Sequence, residues 1–371
     1  MNNILKAFLC ILLLNFSCSS SDDSSKTEVE VEQEETVDGV GIVRNITASQ
    51  LVADMGSGWN LGNTFDVTNS DKTYWGNPLP STELINEVFN RGFRTLRLPV
   101  TWGYNMGDAP NFEIEESYFS SITNIIDHAL SKGMYVIINV HHDDDWIVPT
   151  LSQSTTTKIK LNKVWTQIAN QYKNYSDYLI FELLNEPRHI DTPEEWSGGT
   201  QEGRNVLNDY YKTILSAIRL TGGNNAKRKV MIAPYGASVA QVAWNDFVIP
   251  NNDPDVIISI HAYSPYRFAL EGTDPDWGTN EDKADIDALL NSIETNFISK
   301  GLPVIMGEWG SVNILADASE RLKHATYFSE ACLKKGIKPI VWDNGGEFGL
   351  IDRRTFIWTY PNIANAAANK N

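Results

Sequence analysis

Eight short apolar runs, separated by stretches of helical periodicity, predict one closed (β/α)8 barrel. A third observation agrees: seven of the eight runs carry a functional polar or aromatic side chain at or near the C-terminal end, where barrels of this kind build their sites. The runs cover residues 56–63, 95–100, 135–142, 178–186, 230–235, 256–263, 303–309 and 339–344. Each is rich in Val, Ile or Leu, or ends on polar or glycine-rich residues, as strands do.

Most gaps between the runs read as amphipathic helices. Residues 118–132 place Phe119, Ile122, Ile125, Ile126 and Ala129 on one stripe, and 161–172 and 205–220 behave alike. A doubly wound open sheet is the alternative architecture. No Gly-x-Gly-x-x-Gly follows the first run, which counts against a dinucleotide-binding version.

The segments before the barrel divide in two. Residues 1–17 read as an export signal: Lys6 precedes an apolar run from Ala7 to Leu14 that is too short to span a bilayer. The Cys18 that follows, with Ser19, Ser20, Ser21, Asp22 and Asp23, resembles a bacterial lipoprotein cleavage site and acidic export tag, although Asn15 stands where a leucine is usual. An ordinary secretory signal is the other reading. Export with a lipid on Cys18, at the outer membrane or cell surface, is the expectation. Residues 18–40 read as an acidic flexible tether, because they hold too little apolar surface to offset the entropy of ordering. Residues 41–371 read as one folded body, with no composition break inside it.

Composition narrows the function. The formal charge is −17, which disfavours binding to nucleic-acid phosphates but not to a neutral polysaccharide. Eleven tryptophans suit either core packing or stacking on sugar rings. Cys332 is the sole cysteine of the body, so no internal disulfide is expected, and a buried filler role is.

Two carboxylates stand out. Glu186 closes the fourth run before Pro187, and Glu308 closes the seventh between Gly307 and Trp309. Strands four and seven lie across a barrel mouth from one another. Hydrolysis of a glycosidic bond needs two such groups, one protonated and one ionised. Arg97 lies inside an apolar run, where an unpaired charge is costly, so Glu182 or Glu308 is its expected partner. The run from His141 to Asp145 invites a metal reading. Alternation along a strand turns His141 and His142 to opposite faces and disfavours it, so no metal is expected.

The ordered motifs GWNLGNT (58–64), WGNP (75–78), RLP (97–99), NVHH (139–142), NEP (185–187), HAY (261–263), GEW (307–309) and WDNG (342–345) resemble glycoside hydrolase family 5, most closely its endoglucanase-rich subfamily 4. The resemblance implies a retaining endo-β-1,4-glucanase with Glu186 as acid/base and Glu308 as nucleophile. It implies that Arg97 and Tyr263 hydrogen-bond the nucleophile, that Asn185 meets the sugar 2-hydroxyl, and that His141 and His261 orient the site. Trp342 would floor the sugar at the cleavage point, and His142 would also touch substrate. Trp75 and Trp146 would be neighbouring sugar subsites or core. No cofactor is implied, the partner is a β-glucan, and a monomer is expected. Xyloglucan, mixed-linkage β-glucan, glucomannan and xylan are alternative substrates, with the loop at 143–157 open to set the choice. A non-catalytic glycan-binding protein is the rival class; it would show loss of a glutamate.

Overall fold

The computed structural model describes residue 41 and residues 43–370. The leader, Cys18 and the tether lie outside the described residues. All eight predicted strands form: β1 (Gly58–Asn60), β2 (Thr95–Leu98), β3 (Tyr135–Asn139), β4 (Leu179–Glu182), β5 (Val230–Ile232), β6 (Val256–His261), β7 (Val304–Trp309) and β8 (Lys338–Val341). Every neighbouring pair is parallel, and β8 closes on β1, so the sheet has no edge. The strands are shorter than the apolar runs. His141, Asn185, Glu186, Tyr263 and Trp342 therefore sit in loops just beyond the sheet, whereas His261 and Glu308 stay within β6 and β7.

Helices cover the outside. After α1 (Ala48–Asp54) come α2 (Thr82–Arg91), α3 (Glu116–Ser131), α4 (Leu151–Gln171) and α5 (Gln201–Leu220). The connection after β5 shrinks to the single turn α6 (Gln241–Trp244). The ring is completed by α7 (Tyr266–Ala269), α8 (Asn280–Asn296), α9 (Ala318–Lys334) and α10 (Pro361–Ala367). The helix expected at 161–172 begins ten residues earlier, inside what was read as a loop at 143–157. Its first turns hold buried Ser154 and Thr157 instead of large apolar residues, so no hydrophobic stripe marked them.

Two apolar layers hold the barrel. The larger lies between strands and helices and includes Trp165, Phe181, Tyr211 and Phe328. The smaller fills the barrel's lower half with Ile137, Ile180, Met231, Ile257, Ile305 and Ile340. Helix α1 caps it through Leu51, Val52 and Met55. The Thr47 and Gln50 side chains cap this seven-residue helix reciprocally, which fixes its first turn. Above the apolar plug the inward positions turn polar, and the site begins.

Candidate active site

Strand parity brings a set of polar side chains to one level of the barrel. Asn60, Arg97, Asn139, Glu182 and Ser259 are fully buried there, each where an apolar strand aims it inward. Arg97 is the hub. Its Nε donates to Glu182 at 2.7 Å, Nη1 to Glu308 at 2.8 Å and to Asn60 at 2.9 Å, and Nη2 to Asn185 at 2.7 Å. The expected partner was one of two glutamates; the structure supplies both. Burial alone would lower the pKa of Arg97, but the two carboxylates more than reverse that and hold it charged. Glu182 is saturated, accepting also from Asn139 at 3.0 Å and Ser259 at 2.6 Å.

One layer higher stand the two candidate catalytic groups. Glu308 Oε1 takes the Arg97 bond, and Oε2 accepts from the Tyr263 hydroxyl at 2.9 Å. Burial and the Glu308 charge push the tyrosine pKa well up, so this hydroxyl remains a donor. Glu186 Oε1 lies 2.7 Å from His261 Nδ1, which is 3.6 Å from Glu308 Oε1. Carboxylate oxygens of the two glutamates and the histidine nitrogen all fall within 4.8 Å of one another. Burial opposes the charge of Glu186, yet the His261 bond and the charges of His261, Arg188 and His142 hold its pKa below the usual value. His261 is correspondingly raised, against burial, by Glu308 and Glu186. The pair thus shares one proton over a short bond, and both shifts place it on the imidazole of His261.

Trp342 forms the floor. It packs parallel to His141, with ring centroids 5.9 Å apart and planes 2° apart. A Cβ at Gly62 would lie 2.6 Å from the indole, so glycine lets the β1 loop pass beneath the ring. Asn139 lies 3.0 Å from His141 Nδ1, and burial pushes the His141 pKa well down, so the ring is neutral.

The strand argument for separating His141 from His142 fails. β3 ends at Asn139, so alternation no longer governs the pair, and their rings meet edge to face 4.4 Å apart. With Asp66 they bring donor atoms within 4.8 Å. These donors are already engaged in part: Asp66 accepts from the backbone of Asn63 at 2.8 Å and of Thr64 at 2.6 Å. Their arrangement is that of a hydrogen-bonded wall.

The aspartates after His142 are not simply solvated. Asp143 is fully buried and accepts from Trp102 N, Gly103 N and Trp146 Nε1 at 2.9, 2.7 and 2.9 Å. Burial pushes its pKa up to about 6. It ties down the indole of Trp146, over whose ring Lys160 lies at 4.2 Å. Trp75 is 37% exposed beside His142 at 5.8 Å and remains free to meet a ligand. Sequence reasoning missed Asn60 and Ser259 as members of the polar layer. Their signal was present: each is a polar residue at an inward position of a short strand, and Ser259 shares its strand parity with His261.

A barrel whose mouth opposes one buried and one half-buried carboxylate, separately hydrogen-bonded, over a stacked aromatic floor defines a glycoside hydrolase. The comparisons say which. Residues 56–348 match the cellulase (glycosyl hydrolase family 5) model, and the chain belongs to that family. Endoglucanase B of Clostridium cellulovorans is 42% identical over 335 residues, covering 87% of this chain and 76% of that protein. Among solved structures, ZgEngAGH5_4 in complex with a cellotriose is 50% identical with a TM-score of 0.87, covering 88% of this chain and 100% of that chain. The GH5-4 broad specificity endoglucanase from Clostridium acetobutylicum is 41% identical with a TM-score of 0.86, again over 88% of this chain and 100% of that one.

Proposed function

We propose that the chain cleaves internal β-1,4 linkages of a glucan by double displacement. The carrying observation is the approach of the two glutamates to within 4.8 Å at their oxygens, close to the ~5–5.5 Å carboxyl separation of retaining enzymes. Glu308, paired with Arg97 and aimed by Tyr263, attacks the anomeric carbon. Glu186 protonates the departing glycosidic oxygen. The glycosyl ester on Glu308 carries no charge, so Glu186 loses a neighbouring anion, its pKa falls further, and it accepts the proton of the attacking water. Asn185 turns its Oδ1 to Arg97, which leaves its amide N–H groups for a sugar hydroxyl.

The test compares wild type with Glu186→Ala and Glu308→Ala on carboxymethyl cellulose. Removing the acid is expected to cost about 10²–10⁴-fold in kcat, and removing the nucleophile at least as much. Azide rescue should give a β-glycosyl azide with Glu186→Ala and an α-azide with Glu308→Ala. Near-zero release by wild type as well would favour glycan capture without cleavage. Mixed oligomers in early digests would support internal cutting; exclusive release of glucose would oppose it. The solved relatives named as broad specificity endoglucanases support testing xyloglucan, mixed-linkage β-glucan, glucomannan and xylan beside cellulose.

We also propose export and lipidation at Cys18, which place the enzyme where polymeric substrate is met. Support comes from the sequence, Lys6 and an apolar run ending in Ser17, Cys18 and Ser19. Labelling with a fatty-acid analogue, lost in Cys18→Ala, is the check.

A further inference from the structure

The two oxygens of Glu186 are not equivalent. Oε1 is bound to His261, whereas Oε2 has no hydrogen-bond partner among the described residues and faces the guanidinium of Arg188 at 4.0 Å. The free oxygen is the one able to hand its proton to the departing sugar. Whatever lies beyond it, on the Arg188 side, lies on the leaving-group side of the scissile bond.

What lies there is a built surface. Arg188 Nη1 donates to the backbone carbonyl of Glu186 at 3.0 Å, Nε donates to Glu195 at 3.0 Å, and Nη1 is 3.6 Å from Asp144. Its guanidinium then lies over the ring of Trp196 at 4.4 Å. One indole face is thereby covered, yet the residue is 59% exposed, so the opposite face is bare. The loop that presents it is anchored. Gly236 N donates to Pro187 O at 3.0 Å, His189 N donates to the Tyr235 hydroxyl at 2.7 Å, and Arg204 donates to the carbonyls of Gly198 and Gly199 at 3.0 and 2.6 Å. At Gly199, with φ of +70°, a Cβ would lie 2.5 Å from the Tyr235 ring, so only glycine permits this seating. A large, bare, rigidly held indole beside the proton-donating oxygen is what a pyranose C–H face stacks on.

We propose that Trp196, seated on Arg188, is the binding platform for the leaving-group sugar and for the sugar acceptors that compete with water. This rests on the retaining-glucanase reading. In the first step the bond between the anomeric carbon and the glycosidic oxygen breaks, the Glu186 proton goes to that oxygen, and the departing chain rests on the indole. In transfer, an acceptor hydroxyl on the same platform attacks the glycosyl ester and gives its proton back to Glu186.

β-Cellobiosyl fluoride separates the platform from the catalytic pair, because its leaving group is one atom. Both outcomes of the intermediate, hydrolysis and transfer to added cellobiose, need Glu186 as base. Their ratio is therefore insensitive to any disturbance of Glu186 itself. Trp196→Ala is expected to lower the transfer-to-hydrolysis ratio about tenfold, and to lower kcat/KM for cellotetraose by a similar factor, mostly through KM. Trp196→Phe should recover most of both. An unchanged ratio in Trp196→Ala overturns the proposal, including when kcat/KM falls on both substrates together, since that pattern marks a structural indole. A wild-type enzyme that turns over neither cellotetraose nor the fluoride removes the glucanase reading, and this inference falls with it.

Discussion

Two arginines are fully buried at opposite ends of the barrel, and they are satisfied in opposite ways. Arg97, at the mouth, is held by the carboxylates of Glu182 and Glu308, which keep it firmly charged. Arg228, two residues before β5, forms no ion pair among the described residues. Its guanidinium donates to the carbonyls of Tyr172, Tyr175, Ser176 and Leu179 and to the side chain of Asn225, at 2.7 to 2.9 Å. Burial pushes its pKa down to about 9, still charged at neutral pH. The difference shows what each end is for. At the base, a cation staples the end of α4 to the starts of β4 and β5 by gathering four carbonyls on one guanidinium. At the mouth, a cation fixes the position of a reacting group. The rule that a buried charge needs a counter-charge holds at the site and fails at the base, where oriented carbonyl dipoles suffice.

Replacing Arg97 with Met is the largest way to sharpen this contrast. It leaves Glu182 and Glu308 buried without their cation, so stability should fall by about 3–5 kcal/mol. The kcat should fall at least ~100-fold in protein that remains folded, because Glu308 loses the donor that places it. Urea unfolding and reducing-end release from the folded fraction read the two effects. Unchanged activity and stability would break the comparison at its functional end. Arg228→Met should act differently. It removes five buried hydrogen bonds but frees no carboxylate, so the expected loss is about 3 kcal/mol of stability. The kcat per folded molecule should stay within about twofold of wild type, since Arg228 touches no site residue. A collapse of activity like that of Arg97→Met would show that the base is coupled to the mouth.

How much of this was legible follows from the same physics. The eight strands could be read because each is buried on both faces and therefore apolar along its length. The polar layer could be read where a polar residue interrupts such a run; Arg97 and Glu182 were found this way, and Asn60 and Ser259 carry the same mark. Legibility ended where the backbone leaves the sheet. His141 and His142 could not be placed by alternation because β3 stops at Asn139. Asp143 looked like one of three solvated carboxylates, and its burial depends on three N–H donors, two of them 40 residues away in sequence. Trp196 has no periodic pattern around it, and its seat on Arg188 is fixed by glycines and carbonyl contacts that leave no trace in hydropathy.

A pair of buried histidines extends the contrast to groups that titrate. His261, at the mouth, lies against two glutamates and is raised above the usual histidine value. His324, on α9, lies among the rings of Phe268, Trp277, Trp309 and Phe328. Its Nε2 donates to the carbonyl of Ser264 at 2.9 Å, and its Nδ1 has no partner among the described residues, which suits a neutral ring. Burial pushes its pKa down to about 4. The unfolded chain therefore binds a proton near pH 6.5 that the folded chain refuses until about pH 4. Stability from this group is fully present above pH 6.5 and is lost as pH falls toward 4, by roughly 2 kcal/mol on going from pH 8 to pH 5. Asp143, raised to about 6, works the other way in part of that window. The informative quantity is therefore the difference between wild type and His324→Gln, which keeps a donor for Ser264 but cannot be protonated. The variant should lose less stability than wild type between pH 8 and pH 5, by about that amount, when both are unfolded in urea. Parallel curves would mean that His324 accepts its proton in the folded state, and that the aromatic shell around α9 admits charge as readily as the mouth does.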